Sequence, residues 1–287
     1  MKRHIIQGAF TAITNSYYKG FLAGSIYQGN GKALCLPGLN CYSCPGALGS
    51  CPIGSFQAVA GARGYTVPFY LIGFFLAFGA FFGRFVCGYL CPFGLFQDLL
   101  HKIPFPKKIR KVPFDKYLKY LKYFFLLVFV FLLPAFVSND FGVGDPWFCK
   151  YVCPSGTFMA GWPLVILNGG IRGTIGFLFA WKSFILIAII ILSIIIYRPF
   201  CRYICPLGAI YGCFNKVSFY RFNVNKDTCI ECKKCQEVCK FDIPVYLTPN
   251  SMDCIRCGDC LKVCPTNALQ RIPYLRSQEE LLSDKAK

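Results

Sequence analysis

The chain has 287 residues, of which 55% are hydrophobic and 15% charged, and its formal net charge is +18. Its positive residues flank long apolar runs, so membrane topology explains the charge better than nucleic-acid binding does. Nineteen cysteines in a long, apolar chain favour metal ligation over the disulfide framework that is typical of short secreted proteins.

Four apolar stretches are expected to form transmembrane helices. The first, 5–27, has apolar residues at helical spacing, but Lys19 and several polar residues interrupt it. Spanning is favoured for this stretch, and a helix along the membrane surface is the alternative. The others, 66–86, 117–137 and 174–197, are apolar over the roughly 20 residues that a bilayer core of about 30 Å requires.

Basic residues predict how these helices are oriented. The loop 98–122 contains eight of them, whereas 28–65 and 138–173 contain two each. By the positive-inside rule the loop 98–122 is cytoplasmic, and the other two segments lie outside. The last helix then runs inward and places the C-terminal region in the cytoplasm. The eight residues are Lys102, Lys107, Lys108, Arg110, Lys111, Lys116, Lys119 and Lys122.

A short cysteine turn occurs three times at the ends of apolar stretches. It reads Cys-x-Tyr-[Leu/Val/Ile]-Cys-Pro-x-Gly and begins at Cys87, Cys149 and Cys201. The proline discourages the preceding helix from continuing, and the glycine permits a tight turn. A helix starting after each glycine would direct backbone N–H groups at an anionic cluster. The candidate basic neighbours of such a cluster are Arg84, Arg198 and Arg202.

The turns occur in the same order, relative to the helices, in both halves of the membrane region. In each half a helix leads out to a Cys-Pro-x-Gly turn, and a second helix returns to a Cys-x3-Cys-Pro-x-Gly turn. Two repeats with the same orientation predict a pseudo-twofold axis along the membrane normal, which brings equivalent turns together. The two inner turns would then hold one iron–sulfur cluster. Its ligands would be Cys87, Cys91, Cys201 and Cys205.

The outer face is less regular. In the second half Cys149 and Cys153 copy the inner turns, but in the first half Ala47 stands where the partner of Cys51 is expected. Cys44 is the first choice to replace that partner. The predicted outer-face cluster is therefore held by Cys44, Cys51, Cys149 and Cys153, with Cys35 and Cys41 as alternatives. A self-contained site of Cys35, Cys41, Cys44 and Cys51 is the rival arrangement.

Two cysteine runs near the C-terminus form the most specific motif. Residues 229–239 read "CIECKKCQEVC" and 254–265 read "CIRCGDCLKVCP". Both have the Cys-x2-Cys-x2-Cys-x3-Cys spacing of a two-cluster ferredoxin, in which the fourth cysteine serves the other cluster. Zinc sites rarely place four cysteines in so short a run. The predicted [4Fe–4S] ligands are Cys229, Cys232, Cys235 and Cys264 for the first cluster, and Cys239, Cys254, Cys257 and Cys260 for the second.

Together these motifs resemble a known family. A helical membrane domain with Cys-x3-Cys-Pro turns, followed by a two-cluster ferredoxin domain, is similar to the membrane-bound polyferredoxins. These include the iron–sulfur membrane subunit of periplasmic nitrate reductase systems and the C-terminal region of the nitrous oxide reductase regulator. The resemblance covers 66–265 and implies electron exchange between a cytoplasmic or quinone pool and an extracytoplasmic redox partner. The six outer cysteines depart from the family's usual two-motif pattern.

The predicted fold is an all-α polytopic membrane domain followed by a small α+β ferredoxin-like domain. The membrane domain has about four transmembrane helices in two parallel pseudo-twofold repeats, 1–114 and 115–225. The ferredoxin-like domain, 226–275, holds two [4Fe–4S] clusters, and a tail covers 276–287. The membrane domain is expected to hold one or two further iron–sulfur clusters. No haem is expected, because the only histidines, His4 and His101, lie outside the confident membrane helices.

The predicted function is transmembrane electron transfer in a prokaryotic cell membrane. The predicted partners are membrane lipid, a cytoplasmic ferredoxin or flavoprotein, and an extracytoplasmic redox protein, with no nucleic acid. Three alternatives stay open: a quinol dehydrogenase with a bound quinone, a thiol–disulfide relay, and a non-enzymatic redox sensor or metalloenzyme assembly factor. Whether the chain is itself an enzyme is left open, since it shows no substrate site of its own. Cys213, which has no counterpart in the first half, is expected to be a buried thiol.

Overall fold

The computed structural model describes residues 2–62, 69–106, 108–110, 112–139, 143–173 and 175–273. The predicted tail and the first residues of the predicted spans 66–86 and 174–197 lie outside these ranges. The described chain is mostly helical. Its first part contains the helices Lys2–Thr14, Tyr18–Ala23, Pro52–Ala60, Phe69–Phe82, Phe85–Tyr89 and Pro92–Lys102, and a 3₁₀ turn at Asn30–Ala33.

The second part begins with the long helix Asp115–Phe136, which is π-helical over Phe125–Leu132. A π-helical turn, Phe148–Val152, leads into three consecutive helical stretches, Pro154–Gly156, Thr157–Gly161 and Trp162–Leu167. The remaining helices of this part are Gly169–Arg172, Phe177–Ile195, Pro199–Tyr203 and Pro206–Phe214.

Two helices in the described ranges are long and apolar enough to cross a membrane, judged by length and composition. They are Asp115–Phe136 and Phe177–Ile195, which fall in two of the predicted spans. The predicted span 66–86 yields a shorter helix, Phe69–Phe82, which ends where Gly83 adopts a φ of 53°.

The predicted span 5–27 is divided into Lys2–Thr14 and Tyr18–Ala23, of 13 and 6 residues. At about 1.5 Å per residue neither helix reaches the roughly 30 Å of a bilayer core. The described residues therefore contain two spanning candidates instead of the four that were expected.

The two halves pack by exchanging helices. Pro92–Lys102 of the first half packs on Phe177–Ile195 of the second, and Pro206–Phe214 of the second packs on Phe69–Phe82 of the first. Because each exchanged helix follows a Cys-x3-Cys turn, the turns of both halves meet in the core between them. This reciprocal packing agrees with the pseudo-twofold relation, which stays a prediction.

The cysteine-rich C-terminal part is a small α+β unit, the ferredoxin unit. Its strands Tyr220–Val224 and Leu269–Pro273 pair in antiparallel register, with Val224 opposite Leu269. The chain between the strands forms two short helices, Lys234–Glu237 and Asp259–Lys262, which contact each other. The sheet thus holds together the two ends of the segment that carries both cysteine runs.

Candidate iron–sulfur sites

Four cysteines from the two halves form a buried group, which we call the central quartet. None of them is more than 6% exposed. Each is close enough to other members of the group for thiolate charges to interact. The structure thus brings together the four residues predicted from the inner turns: Cys87, Cys91, Cys201 and Cys205.

Two members of the central quartet cap helices. The Cys91 sulfur accepts a hydrogen bond from the Gly94 amide, and the Cys205 sulfur accepts one from the Gly208 amide, both at 3.4 Å. Proline is favoured at a first helical position because that position has no N–H to satisfy. The helices therefore begin at the prolines, and the expectation that they begin after the glycines is wrong. The amide at the third helical position is the one that reaches the sulfur.

The glycines of these turns are required by close packing. Neither Gly94 nor Gly208 adopts a positive φ. A Cβ at Gly94 would lie 3.1 Å from a guanidinium nitrogen of Arg198, and a Cβ at Gly208 would lie 3.1 Å from one of Arg84. Each glycine therefore leaves room for an arginine of the opposite half.

These two arginines are fully buried and cross between the halves. Arg84 donates to the Cys201 carbonyl at 3.0 Å, and Arg198 donates to the Cys87 carbonyl at 2.6 Å. Four thiolates around an iron–sulfur cluster carry net negative charge, which is costly to bury without compensation. Two guanidinium groups and several N–H donors supply that compensation, so the residues present fit such a cluster.

The carboxylate partners of the two arginines come from different parts of the chain. Arg198 forms a two-pronged ion pair with Asp98, at 2.7 and 2.6 Å. Arg84 lies 3.5 Å from Asp253, which belongs to the ferredoxin unit. The residue of the second half that corresponds to Asp98 is Gly212, where a Cβ would lie 2.8 Å from the Met252 carbonyl. The Met252 carbonyl of the ferredoxin unit thus occupies the space beside Gly212. Asp253 of the same unit supplies the carboxylate that the second half lacks.

Asp98→Asn should destabilise the protein by about 3–5 kcal/mol, because it removes the buried carboxylate that pairs with both Arg198 and Arg3. Burial acts to raise the pKa of the Asp98 carboxyl, but Arg198, together with Arg3 and Tyr197, outweighs it and lowers that pKa from 3.8 to about 2. A lowered pKa means that the ion pair stabilises fully above pH ~4 and loses its effect as the pH falls toward 2. Unfolding by guanidinium in detergent at neutral pH, followed by circular dichroism, measures the difference.

Asp227→Asn is the matched control for this measurement, because Asp227 is an exposed aspartate of the ferredoxin unit. We expect its effect to stay within about 0.5 kcal/mol. Equal losses from the two substitutions would contradict the role assigned to the Asp98–Arg198 pair.

A second group of cysteines lines a cavity of about 980 Å³. We call Cys41, Cys51, Cys149 and Cys153 the distal quartet. Cys41 is close enough to the other three for their charges to interact. A Cβ at Gly156, in the turn after Cys153, would lie 3.7 Å from the Cys41 sulfur. Cys41 of the first half therefore faces the cysteine turn of the second half.

Two lysines supply positive charge to the distal quartet. Lys32 and Lys182 both line the cavity, and both lie within electrostatic reach of Cys41. The Lys182 ammonium donates to the Cys149 carbonyl at 3.1 Å. This arrangement parallels the two arginines at the central quartet, so the distal residues also fit an anionic cluster.

Cys44 and Cys35, which the sequence placed at or near this site, have other surroundings. Cys44 does not line the cavity, and its sulfur lies 3.7 Å from the Asn15 side-chain oxygen. The Cys44 amide donates to the Cys41 carbonyl at 3.1 Å, and both cysteines lie within electrostatic reach of Lys32. Cys35 does line the cavity, but its sulfur contacts the Ser55 hydroxyl at 3.6 Å. The geometry favours Cys41 as the fourth ligand, and this ligand set is a proposal.

The two quartets predicted for the ferredoxin unit stay a prediction, and the structure places their cysteines as follows. The first ferredoxin quartet, Cys229, Cys232, Cys235 and Cys264, lines one small cavity. Within it Cys232 is exposed and Cys235 is buried, so this site approaches solvent on one side.

The second ferredoxin quartet comprises Cys239, Cys254, Cys257 and Cys260, which interact electrostatically with one another. Burial raises the pKa of the Cys254 thiol to about 12, so an isolated thiol there stays protonated at neutral pH. The positive charge of coordinated iron is what would hold it as a thiolate. Cys260 also lies near Cys235, which links the two ferredoxin quartets.

The second ferredoxin quartet packs directly on the central quartet. The Tyr89 hydroxyl donates to the Cys257 carbonyl at 3.2 Å, and the Asn215 amide donates to the Cys254 carbonyl at 2.8 Å. Asn215 also accepts a hydrogen bond from the Arg84 backbone amide. A Cβ at Gly88 would lie 2.5 Å from the Ile255 carbonyl, so only glycine allows the two loops to approach this closely.

Three residue types singled out by sequence have other roles. Arg202 forms an ion pair with Asp115 at 2.7 Å. His4 lies near Asp98, and His101 contacts the Ser193 carbonyl. Cys213 is exposed, so the expectation of a buried thiol is wrong. Cys213 lies in the last turn of its helix, Pro206–Phe214, beyond the buried residues Ala209, Tyr211 and Gly212.

Sequence reasoning missed two glutamines that contact cysteine sulfurs. Gln97 lies 3.1 Å from the Cys201 sulfur, and Gln57 lies 3.2 Å from the Cys149 sulfur. The signal was present in the sequence, because the turns at Cys51 and Cys91 both continue as Cys-Pro-x-Gly-x-Phe-Gln. A comparison of the turns that extended past the glycine would have found it.

Comparison with known proteins finds iron–sulfur families. A family model described as a 4Fe-4S binding domain matches residues 64–113, 123–165 and 177–226, and a second model with that description matches 247–270. An uncharacterized protein of Methanocaldococcus jannaschii, MJ0749, is 27% identical over 71% of this chain and 70% of its own length.

Two relatives carry names that describe a role. YccM of Escherichia coli, whose name proposes an electron transport protein, is 39% identical over 57 residues, 20% of this chain and 16% of YccM. The methylamine utilization ferredoxin-type protein MauN of Paracoccus denitrificans is 26% identical over 59% of this chain, which spans about half (52%) of MauN. No solved structure matches the chain.

Proposed function

Because this chain belongs to an iron–sulfur, polyferredoxin-like family of electron-transfer proteins, we propose that it carries electrons across a prokaryotic cell membrane. The donor or acceptor in the cytoplasm would be a soluble ferredoxin or flavoprotein, and the partner outside would be a redox protein. The names of YccM and MauN, which refer to electron transport and to a ferredoxin type, support this proposal.

The observation that carries the proposal is the packing of four cysteine quartets in series. The solvent-facing first ferredoxin quartet adjoins the second, the second packs on the central quartet, and the central quartet adjoins the distal one. When bound, [4Fe–4S] clusters supply one-electron redox chemistry at such sites. The chain itself holds each ligand set in place, excludes water from the buried sulfurs and balances their charge.

Only a short segment of protein separates the central and distal quartets. A Cβ at Gly38 would lie 3.0 Å from the Cys91 Cα, and the next residue, Leu39, lines the distal cavity. From the side of the central quartet, the Tyr211 hydroxyl donates a hydrogen bond of 3.2 Å to the Pro37 carbonyl. The segment 37–39 therefore touches both sites, and no lipid layer needs to be crossed between them.

The contacts of the basic loop support the proposed orientation. Arg110 donates to the Glu237 carbonyl at 2.6 Å, and both Lys119 and Lys122 pair with Asp253. The loop that the positive-inside rule places in the cytoplasm thus contacts the ferredoxin unit. The ferredoxin quartets would then face the cytoplasm, and the distal quartet would lie toward the outside.

Metal content and directional transfer test the proposal together. Protein purified without oxygen should contain about sixteen iron atoms and as many acid-labile sulfides per chain, roughly four for each quartet. The protein is placed in proteoliposomes with its ferredoxin unit facing the external solution. A reduced soluble ferredoxin added outside should then reduce ferricyanide trapped inside. Cys213→Ser is the control, because this exposed cysteine belongs to no quartet, and it should leave both results unchanged.

Two results would overturn the proposal. One is zinc in place of iron in the purified protein. The other is trapped ferricyanide that stays oxidised while the ferredoxin quartets give reduced signals.

The distal cavity favours a second candidate function, quinol oxidation. Beyond the cysteines the cavity continues along Tyr70, Leu71 and Leu164, which are the kind of side chains that line pockets for apolar ligands. A quinol dehydrogenase would oxidise a membrane quinol in the same proteoliposomes without added ferredoxin. Absence of quinol oxidation would leave the ferredoxin-linked route.

A further inference from the structure

Two buried glutamines occupy the same position in two different cysteine turns. Gln57 follows Cys51 by six residues, and Gln97 follows Cys91 by six. Both side chains are fully buried. A buried amide must satisfy two N–H donors and a carbonyl oxygen, so its partners show what the position is for.

Both glutamines direct an N–H group at a cysteine sulfur of the other half. The sulfur belongs to Cys201 for Gln97, at 3.1 Å, and to Cys149 for Gln57, at 3.2 Å. The same nitrogen also donates to the carbonyl four residues earlier in its own helix, of Phe93 at 3.4 Å and of Ile53 at 3.2 Å. The side-chain nitrogens of the two glutamines therefore have the same kinds of hydrogen-bond partners.

The remaining contact fixes the orientation of each amide. The side-chain oxygen accepts the backbone N–H of the residue before the cysteine, at 3.3 Å from Phe200 and at 2.9 Å from Phe148. Because a backbone N–H can only donate, the oxygen must face it, and the nitrogen must then face the sulfur.

The second half lacks this feature. Its equivalent positions hold Met159 and Tyr211. The Met159 sulfur contacts the Ser155 hydroxyl, and the Tyr211 hydroxyl donates to the Pro37 carbonyl. The central and distal quartets therefore each have a single glutamine. It is supplied by the first half and is directed at the first cysteine of the second half's turn.

We propose that Gln97 and Gln57 are positioning residues that raise the reduction potentials of the clusters in the central and distal quartets. This inference rests on the proposed function. A hydrogen bond to a ligand sulfur stabilises the reduced cluster more than the oxidised one, because the reduced form carries more negative charge. Each glutamine also joins the two halves at the site, through the backbone N–H on one side and the sulfur on the other.

Gln97→Met in the full-length protein tests the inference, because methionine has a similar volume and occupies the equivalent position 159. Redox titration followed by electron paramagnetic resonance should show full iron content and a lower midpoint for the central signal. The central signal is the one that Cys87→Ser removes. We expect the reduction equilibrium of that centre to fall about tenfold, ~59 mV for one electron, with the other signals unmoved.

Gln57→Met should shift only the distal signal, and Met159→Leu is the control that should shift none. A Gln97→Met protein with full iron content and an unchanged midpoint overturns the inference. If Gln97→Met loses its iron, Gln57→Met decides, and loss of iron in both would reduce the glutamines to a purely structural role. If the unaltered protein shows no reducible iron signal, the proposed function fails as well.

Discussion

Replacing Cys41 with Ser is expected to remove one complete iron–sulfur centre, about four iron atoms per chain. Cys41 is a first-half cysteine that reaches the second-half turn, and Ser155 and Gly156 line the same cavity beside it. A serine hydroxyl does not provide the thiolate that such clusters use as a ligand. Iron and sulfide analysis measures the loss, and the signals of the ferredoxin quartets should persist.

Electron delivery should fail in the same variant. Reduced ferredoxin should still reduce the ferredoxin and central centres, while ferricyanide trapped in proteoliposomes stays oxidised. The matched comparison is Cys44→Ser, three residues away on the same turn, which should retain its iron and its transfer activity. The opposite pattern, with Cys44 essential and Cys41 dispensable, would restore the ligand set that the sequence alone favoured.

Cys87→Ser and Cys205→Ser are expected to remove one and the same centre. These residues lie 118 positions apart, yet each contributes to the central quartet through the exchanged packing of the halves. Either substitution should abolish the central signal, lower the iron content by about four atoms and stop transfer beyond the ferredoxin unit. Electron paramagnetic resonance spectra of the two reduced variants should match.

Combining the two substitutions distinguishes a shared centre from separate ones. The double variant should lose no more iron than either single variant, because one site is already gone. Loss of two different signals, or an additive loss of iron, would show that each half holds its own centre. Cys213→Ser again serves as the control.

The parts of this architecture that could be read from sequence depend on local spacing. The crossed grouping of Cys264 with the run at Cys229 follows from the ferredoxin spacing, and in the structure these residues line one cavity. The inner turns could be paired because both halves repeat one pattern. Two of the long helices could be placed because their apolar runs are uninterrupted.

The features that could not be predicted from the sequence depend on packing between distant segments. The run 66–86 is apolar apart from Arg84, and its hydropathy does not predict the positive φ of Gly83 that ends its helix. The spacing favours Cys44 over Cys41 as a ligand, whereas in the structure Cys41 lines the cavity and Cys44 does not. The pairing of Arg84 with Asp253 requires the docked ferredoxin unit, so no local periodicity reveals it.

The partners of Arg84 carry a consequence for how the protein is made. The buried arginine uses the Cys201 carbonyl, the Asn215 side chain and Asp253, all of which are synthesised more than a hundred residues later. While the chain is still growing, only Cys87 and Cys91 of the four central cysteines are present, and Arg84 lacks its carboxylate partner Asp253. Translation runs from the N-terminus, so the central site becomes whole only when nearly the entire chain has left the ribosome. We therefore expect metal insertion at this proposed site to be a late step of biogenesis, and a truncated chain to have no complete site in which to retain iron.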